Sequence, residues 1–143
     1  MKGDTIPDND HIARLCHNKH VADEQIQATA FQLRQNEDAL SANWLEFLSC
    51  SSRQSEIVEI RKIYSETFSS LGTRAKIAVL NVGEVREKVL TESPDKRELE
   101  VLHDPLVRDP SHSGIYNLKQ DDELIAELIL EAVRETYPAR IEK

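Results

Sequence analysis

Glycine is scarce in this chain, with four among 143 residues. Loops that wrap a phosphate in backbone N–H groups draw on glycine's freedom at positive φ and on its missing side chain. The patterns GxGxxG, GxxxxGK and GxSxG are all missing, which nearly excludes phosphate cradling by a glycine loop and leaves no nucleophile-elbow motif. Cysteine is scarcer. Cys16 and Cys50 allow at most one bridge, which is no disulfide framework, and neither CxxC nor HExxH occurs. No run approaches the roughly 18 apolar residues that a membrane-spanning helix needs. The opening MKGDTIPDNDHIARL has no apolar stretch of roughly 7–15 residues to mark a secretory signal, and it is too acidic for a transit peptide. These absences predict a cytoplasmic protein with reduced thiols, no cofactor and no membrane contact. Cys50, behind the apolar run Trp44–Leu48, is expected to pack as a small hydrophobe.

Positive charge is also in deficit. Lys and Arg number 18 against 26 Asp and Glu, a net charge of −8. That balance offers no electrostatic footprint for duplex nucleic acid. What is present is the composition of an ordinary folded domain, with 39% hydrophobic and 31% charged residues. A chain of this size buries roughly 68–70% of its unfolded surface, enough for one core without staples.

Residues 1–9 read as a flexible N-terminal arm and 10–143 as a single domain. Gln25–Arg34 is expected as a strand with both faces partly covered. Ser41 is expected to cap a helix through Ser49 with Trp44, Leu45 and Leu48 inward. Ile57, Ile60, Tyr64, Phe68 and Leu71 recur at spacings of 3, 4, 4 and 3, which makes Ser52–Leu71 the clearest helix, stopped at Gly72. Lys76–Val82 reads as a central strand, Gly83–Thr91 as a helix, and Leu99–His103 and Ile115–Leu118 as strands. Asp121 or Asp122 caps a last helix that runs to just before Pro138. The sum is an α+β fold: one sheet of about four short strands packed with three or four helices.

Two histidine clusters are candidates for chemistry. His11, Cys16, His17 and His20, with Asp10 and Asp23, have ligand types that suit zinc. A closed site needs four well-spaced ligands, however, so no metal is expected, and the cluster reads instead as a solvent-facing polar segment whose histidines titrate freely. A nucleophilic Cys16 beside His17 would need an electropositive setting. The second cluster is the loop from His103-Asp104-Pro105 to Asp109-Pro110-Ser111-His112-Ser113-Gly114. An imidazole beside a carboxylate is a general base tuned near neutrality. His112 is the candidate base, His103 or His11 a second acid or base, and Arg34 the clamp for an anion. The competing reading makes the same residues turn formers, with His112 bonded to a backbone carbonyl.

The phrases QATAFQLR, LSANWLEFL and DPSHSGIY resemble small bacterial proteins with an AF-x-LR, LS-x-NW and PSH-x-GI pattern. The likeness covers most of the chain and implies no activity. It draws attention to Arg34, Asn43, Trp44 and His112.

The last predicted helix gives the other functional reading. At 100° per residue its apolar positions sweep about 240°, where a helix lying on one sheet needs little more than 100°. Leu130, Ala126, Val133 and Tyr137 are then left over as a binding face. The expectation is an accessory or regulatory protein that docks a partner or a second copy of itself, most simply as a closed two-fold dimer. The alternative is a histidine-dependent enzyme (a phosphoesterase, nuclease or nucleotide transferase) built on the 103–114 loop. The two are separated by geometry: the enzyme requires His112, Arg34 and a second histidine to line one cleft.

Overall fold

The computed structural model describes residues 3–68, 70–120 and 122–140. Along the chain run β1 (Asp4–Thr5), β2 (His11–Cys16), β3 (Val21–Ala22), β4 (Gln25–Ile26), β5 (Leu40–Trp44), α1 (Arg53–Thr67), β6 (Lys76–Asn81), α2 (Val82–Glu92), β7 (Glu100–His103), β8 (His112–Tyr116), α3 (Glu123–Glu131) and β9 (Glu135–Pro138). Short 3₁₀ turns occupy Asn18–His20, Ala28–Phe31 and Glu46–Leu48. Seven strands form one antiparallel sheet in the order β1-β7-β8-β5-β2-β6-β9, and β3 pairs with β4 apart from it. The architecture is α+β, with more strands than the four expected.

The sheet separates two cores. Alternation along β6 sends Ile77 and Val79 to one face and Ala78 and Leu80 to the other. The first pair joins Ala13, Leu15, Ile57, Ile60 and Tyr64 beneath α1. The second joins Ile12, Cys16, Val85, Val89, Ile125 and Ile129 beneath α2 and α3. With both faces covered, the strand reads as a continuous apolar run. Helix α1 starts where Ser52 accepts a hydrogen bond from the Ser55 amide, and α2 where Asn81 accepts from Glu84. Fully burying each stripe residue of α1 stabilises the fold by about 1.5–3 kcal/mol.

Several expectations are corrected. Within the described part of the expected arm, β1 pairs with β7 and Ile6 is fully buried in the α2/α3 core; residues 1 and 2 lie outside the described residues. Gln25–Arg34 is not one strand but β4 followed by a 3₁₀ turn, which inserts Ala30 and Phe31 into that core. Ser41–Ser49 is not a helix. Leu40 and Ala42 face one side of the sheet and Asn43 the other, the period of two of a strand. Helix α1 ends at Thr67 rather than Leu71, and Gly72 lies beyond its end. The last helix stops at Glu131 and the chain re-enters the sheet as β9, pairing Ile77 with Tyr137 and Ala78 with Thr136. Threonine and tyrosine favour strands, and Pro138, with no N–H to offer, sits on an outermost strand where none is required. Asp121 lies outside the described residues. Asp122 is the N-cap, without a side-chain capping bond. Among the described residues no helix is long and apolar enough to cross a membrane.

Candidate functional site

Strands β2 and β5 pair only at Ile12↔Trp44 and Ala13↔Asn43. Both go on to pair fully with their outer neighbours, so the sheet opens between them past Ala13. Arg14 fills the opening. Its Nε donates to the Ala30 carbonyl at 2.8 Å and its Nη1 to the Ser41 carbonyl at 2.7 Å, an oxygen left without a strand partner on β2. Burial pushes the Arg14 pKa down from its ordinary value, yet a guanidinium stays charged at neutral pH.

A cavity of about 820 Å³ opens here, lined by Arg14, His17, Arg34, Asn43, Tyr64, Phe68, Leu106, Arg108, Asp109 and His112 among others. Among the described residues, none of the three arginines has a carboxylate within ion-pair distance. Glu37 also lines the cavity, but its carboxylate accepts from the Arg34 backbone N–H at 2.8 Å, not from the guanidinium. Glu66 lines it from an exposed position on α1. The β2 end is electropositive all the same. Burial lowers the pKa of His17 and of His20, and every neighbouring charge that acts on them, Arg34, Arg14 and Lys19, lowers it further. Because arginine only donates, the 3.4 Å contact from Arg34 Nη2 to His20 Nε2 requires a neutral imidazole, whose Nδ1–H faces Thr29 Oγ1 at 2.9 Å.

The opposite end carries a carboxylate. Asp109 accepts from Asn43 Nδ2 at 2.8 and 2.9 Å and from Ser111 Oγ at 3.1 Å. Buried Asn43 also accepts from the Tyr64 hydroxyl at 3.0 Å. Burial and the charge on Asp109 hold the Tyr64 pKa well above its usual range, so the hydroxyl keeps its proton and donates it to Asn43. Main-chain bonds in both directions between Leu106 and Asp109, each 3.1 Å, fold the loop so that Val107 and Arg108 form its tip.

His112 stands on β8, opposite Asn43 in register. Its Nδ1 is 2.9 Å from the Asp104 carbonyl oxygen, which can only accept, so Nδ1 carries the proton. The Asp104 carboxylate lies 3.7 Å from the same nitrogen. His112 Nε2 is therefore the basic atom, and it has no hydrogen-bond partner among the described residues. The Tyr116 hydroxyl approaches the Asp104 carboxylate at 3.4 Å.

The structure brings His112 and Arg34 together at this cavity and adds His17, not His103 or His11. His103 pairs with Ser113 across β7–β8, one residue from His112, and so faces the other side of the sheet. There it packs edge-to-face against Trp44 and at a tilt against Phe47, with ring centroids 5.1 and 4.9 Å away, and its Nε2 donates to the Pro110 carbonyl. His11 is bonded to Glu46 at 2.7 Å. Cys16 is fully buried and its thiol is pushed up to about 11, so it is protonated at neutral pH. No group of three or more His, Cys, Asp or Glu among the described residues is placed to hold a metal ion.

The four residues read as a docking face fall apart. Ala126 is fully buried in the α2/α3 core, Leu130 and Val133 pack against that core, and Tyr137 packs on the α1 side of the sheet. The helical wheel combined a helix and a strand. The sequence pattern did not place Arg14, Arg108 or Tyr64 among the candidate site residues, and met Asp109 only as a member of the 103–114 loop. A signal was available, because Arg14 interrupts an otherwise apolar strand, HIARLC, with both sequence neighbours buried. No family model matches the chain, and no curated protein or solved structure matches it.

Proposed function

We propose that the protein is a small enzyme that uses histidine acid–base chemistry on an anionic small molecule bound between β2, β5 and the 104–111 loop. The observation that carries this reading is the convergence of Arg14, Arg34 and Arg108 with His112 on one cavity in a chain of net charge −8. Arginines that no carboxylate neutralises favour an anionic ligand, and a guanidinium fork suits phosphate or carboxylate. In the binding step the arginines take the anionic group. In the chemical step neutral His112 accepts a proton at Nε2 from the reacting group or a water, and the Asp104 carboxylate stabilises the imidazolium that forms. This reading is preferred to docking through the C-terminal residues because Ala126 is buried and Tyr137 packs on the other side of the sheet from Leu130 and Val133, so the four make no single face.

The test has two arms. Inorganic phosphate titrated into the protein should bind, and Arg34→Ala should weaken it about tenfold, since a hydrogen bond to a charged group contributes roughly 1.5–3 kcal/mol. A pool of phosphorylated metabolites incubated with the protein should show consumption of at least one compound by mass spectrometry, and His112→Asn should abolish it while phosphate still binds. Absence of phosphate binding at millimolar concentration would refute the proposal.

A further inference from the structure

The two ends of the cavity differ in chemistry and stand apart. Arg14 belongs to β2 and His112 to β8, with β5 between them. Two paired strand spacings are about 10 Å, and the opening past Ala13 widens this, so their backbones stand at least roughly 10 Å apart. The β2 end offers cations, through Arg14, Arg34 and the positive field felt by His17. The β8 end offers acceptors, the Asp109 carboxylate and the free Nε2 of His112, with Arg108 of the loop tip beside them. Asp109 is held by neutral donors alone among the described residues, and its Oδ2 accepts a single bond, from Asn43. The wall between the ends is apolar and aromatic, formed by Leu15, Tyr64, Phe68 and Leu106. Phe68 is half-buried, its ring centroid 5.0 Å from that of His17 in an edge-to-face arrangement. About 820 Å³ lies within the range of small-molecule sites, and an inorganic ion leaves most of it unfilled.

We infer that the ligand is a nucleoside monophosphate, its phosphate on Arg14 and Arg34, its base against Phe68, and its donor groups on Asp109 and His112. A flat base suits the aromatic wall. The hydroxyl and amino groups of a nucleoside suit a carboxylate that has acceptor capacity to spare. With the arginines on the β2 side of the cavity and His112 on β8, the phosphate positions the molecule and His112 acts on its nucleoside end. Phosphate binding here does without a glycine loop because side-chain guanidinium groups replace backbone N–H donors.

The inference rests on the anion-site reading, and the experiment separates the two. Isothermal calorimetry on the full chain compares the four ribonucleoside 5′-monophosphates, their nucleosides and inorganic phosphate. At least one monophosphate should bind at least tenfold more tightly than both phosphate and its own nucleoside. Phe68→Ala should reduce that affinity about tenfold while leaving phosphate binding unchanged. Arg34→Ala should reduce monophosphate and phosphate binding alike. Arg34 is exposed and its guanidinium holds no carboxylate, so this variant tests the anchor even where an Arg14 variant fails to fold. If every monophosphate binds no better than phosphate and Phe68→Ala has no effect, the nucleotide inference fails and the anion site stands. If neither phosphate nor any monophosphate binds, both fail.

Discussion

His112 and Asp104 are joined twice across the β7–β8 loop. The Asp104 amide donates to the His112 carbonyl at 2.9 Å, and His112 Nδ1 donates back to the Asp104 carbonyl at 2.9 Å. The reciprocal pair fixes ring orientation and tautomer together, so a base at Nε2 is set by backbone geometry before any ligand arrives. The side-chain carboxylate, 3.7 Å from Nδ1, is too distant for a direct hydrogen bond and acts through its charge.

His112→Asn should therefore separate chemistry from folding. Asparagine can still donate to the Asp104 carbonyl but supplies no base. Turnover should fall by a factor of roughly 10² to 10⁴, with phosphate affinity and thermal midpoint little changed. Kinetics and a melting curve on the same preparation check this. Activity equal to wild type would remove His112 from the mechanism.

The depressed pKa values of His17 and His20 make a signed prediction about pH. Both lie below the ordinary 6.5, first through burial and then through Arg34 and its fellow cations. Between the folded value and 6.5 the unfolded chain binds more protons, so stability rises with pH through that window and is lost as pH falls through it. Arg34→Gln removes a cation from both imidazoles and should raise both titration midpoints, followed by NMR of the ring protons. An added anion should raise them as well. Unmoved midpoints in Arg34→Gln would show that Arg34 does not set this field.

Helix α1 and strand β6 were legible in the sequence because each keeps one period from end to end and meets one kind of surroundings. Segments that change structure within an apolar pattern were not. Residues 124–137 keep a plausible helical stripe although the backbone turns to strand at Glu135, because β9 is specified by the vacant edge of β6, a long-range partner invisible locally. Leu40–Trp44 was misread for a related reason: Trp44, Leu45 and Leu48 mimic helical spacing across a strand and a 3₁₀ turn. Of the candidate site, His112 and Arg34 were legible as chemistry-bearing residues. Their meeting with Arg14 was not, because it depends on where β2 and β5 part. The pairing of His112 with His103 failed on pleat parity alone.

Ile60 lies mid-stripe on α1 and is fully buried. Ile60→Ala should destabilise the fold by about 2–5 kcal/mol through lost burial and the cavity left behind, read as a lower urea midpoint at constant slope. Ile60→Asp buries a carboxylate without a partner, at a cost comparable to the whole stability of a domain, and should yield no cooperative transition. A wild-type midpoint in either variant would contradict the packing of α1 on the sheet.

Gly114 faces Ser41 across β5–β8, and a Cβ there would meet the Tyr116 ring at 2.8 Å and the Ala39 Cβ at 3.1 Å. Gly114→Ala should push the Tyr116 ring aside and draw its hydroxyl away from the Asp104 carboxylate. Overpacking of this kind costs typically 1–3 kcal/mol. Thermal unfolding checks the loss, and a shift of the His112 resonances checks that it reaches the candidate base. Unaltered resonances would mean that Tyr116 and Asp104 do not communicate with His112.

Asn43 joins α1 to the candidate site, and a double-mutant cycle measures that connection. Its amide nitrogen donates to Asp109 and Ser111, while its oxygen accepts from Tyr64 on α1. Both Asn43 and Tyr64 are buried, so removing Asn43 leaves the hydroxyl only the longer contact to the Ala13 carbonyl at 3.4 Å and leaves a carboxylate short of its donor. Asn43→Ala should cost on the order of 3 kcal/mol, because each unsatisfied buried partner carries a penalty of roughly 1–3 kcal/mol. Tyr64→Phe removes one donor and should cost about 1 kcal/mol, since Asn43 keeps its other bonds. With the hydroxyl already gone, Asn43→Ala strands one partner fewer. The double variant should then be less destabilised than the sum of the singles, with a coupling of about 0.5–3 kcal/mol. Strict additivity in urea denaturation would show that Tyr64 and Asn43 contribute independently. The cavity wall would then owe nothing to the helix behind it.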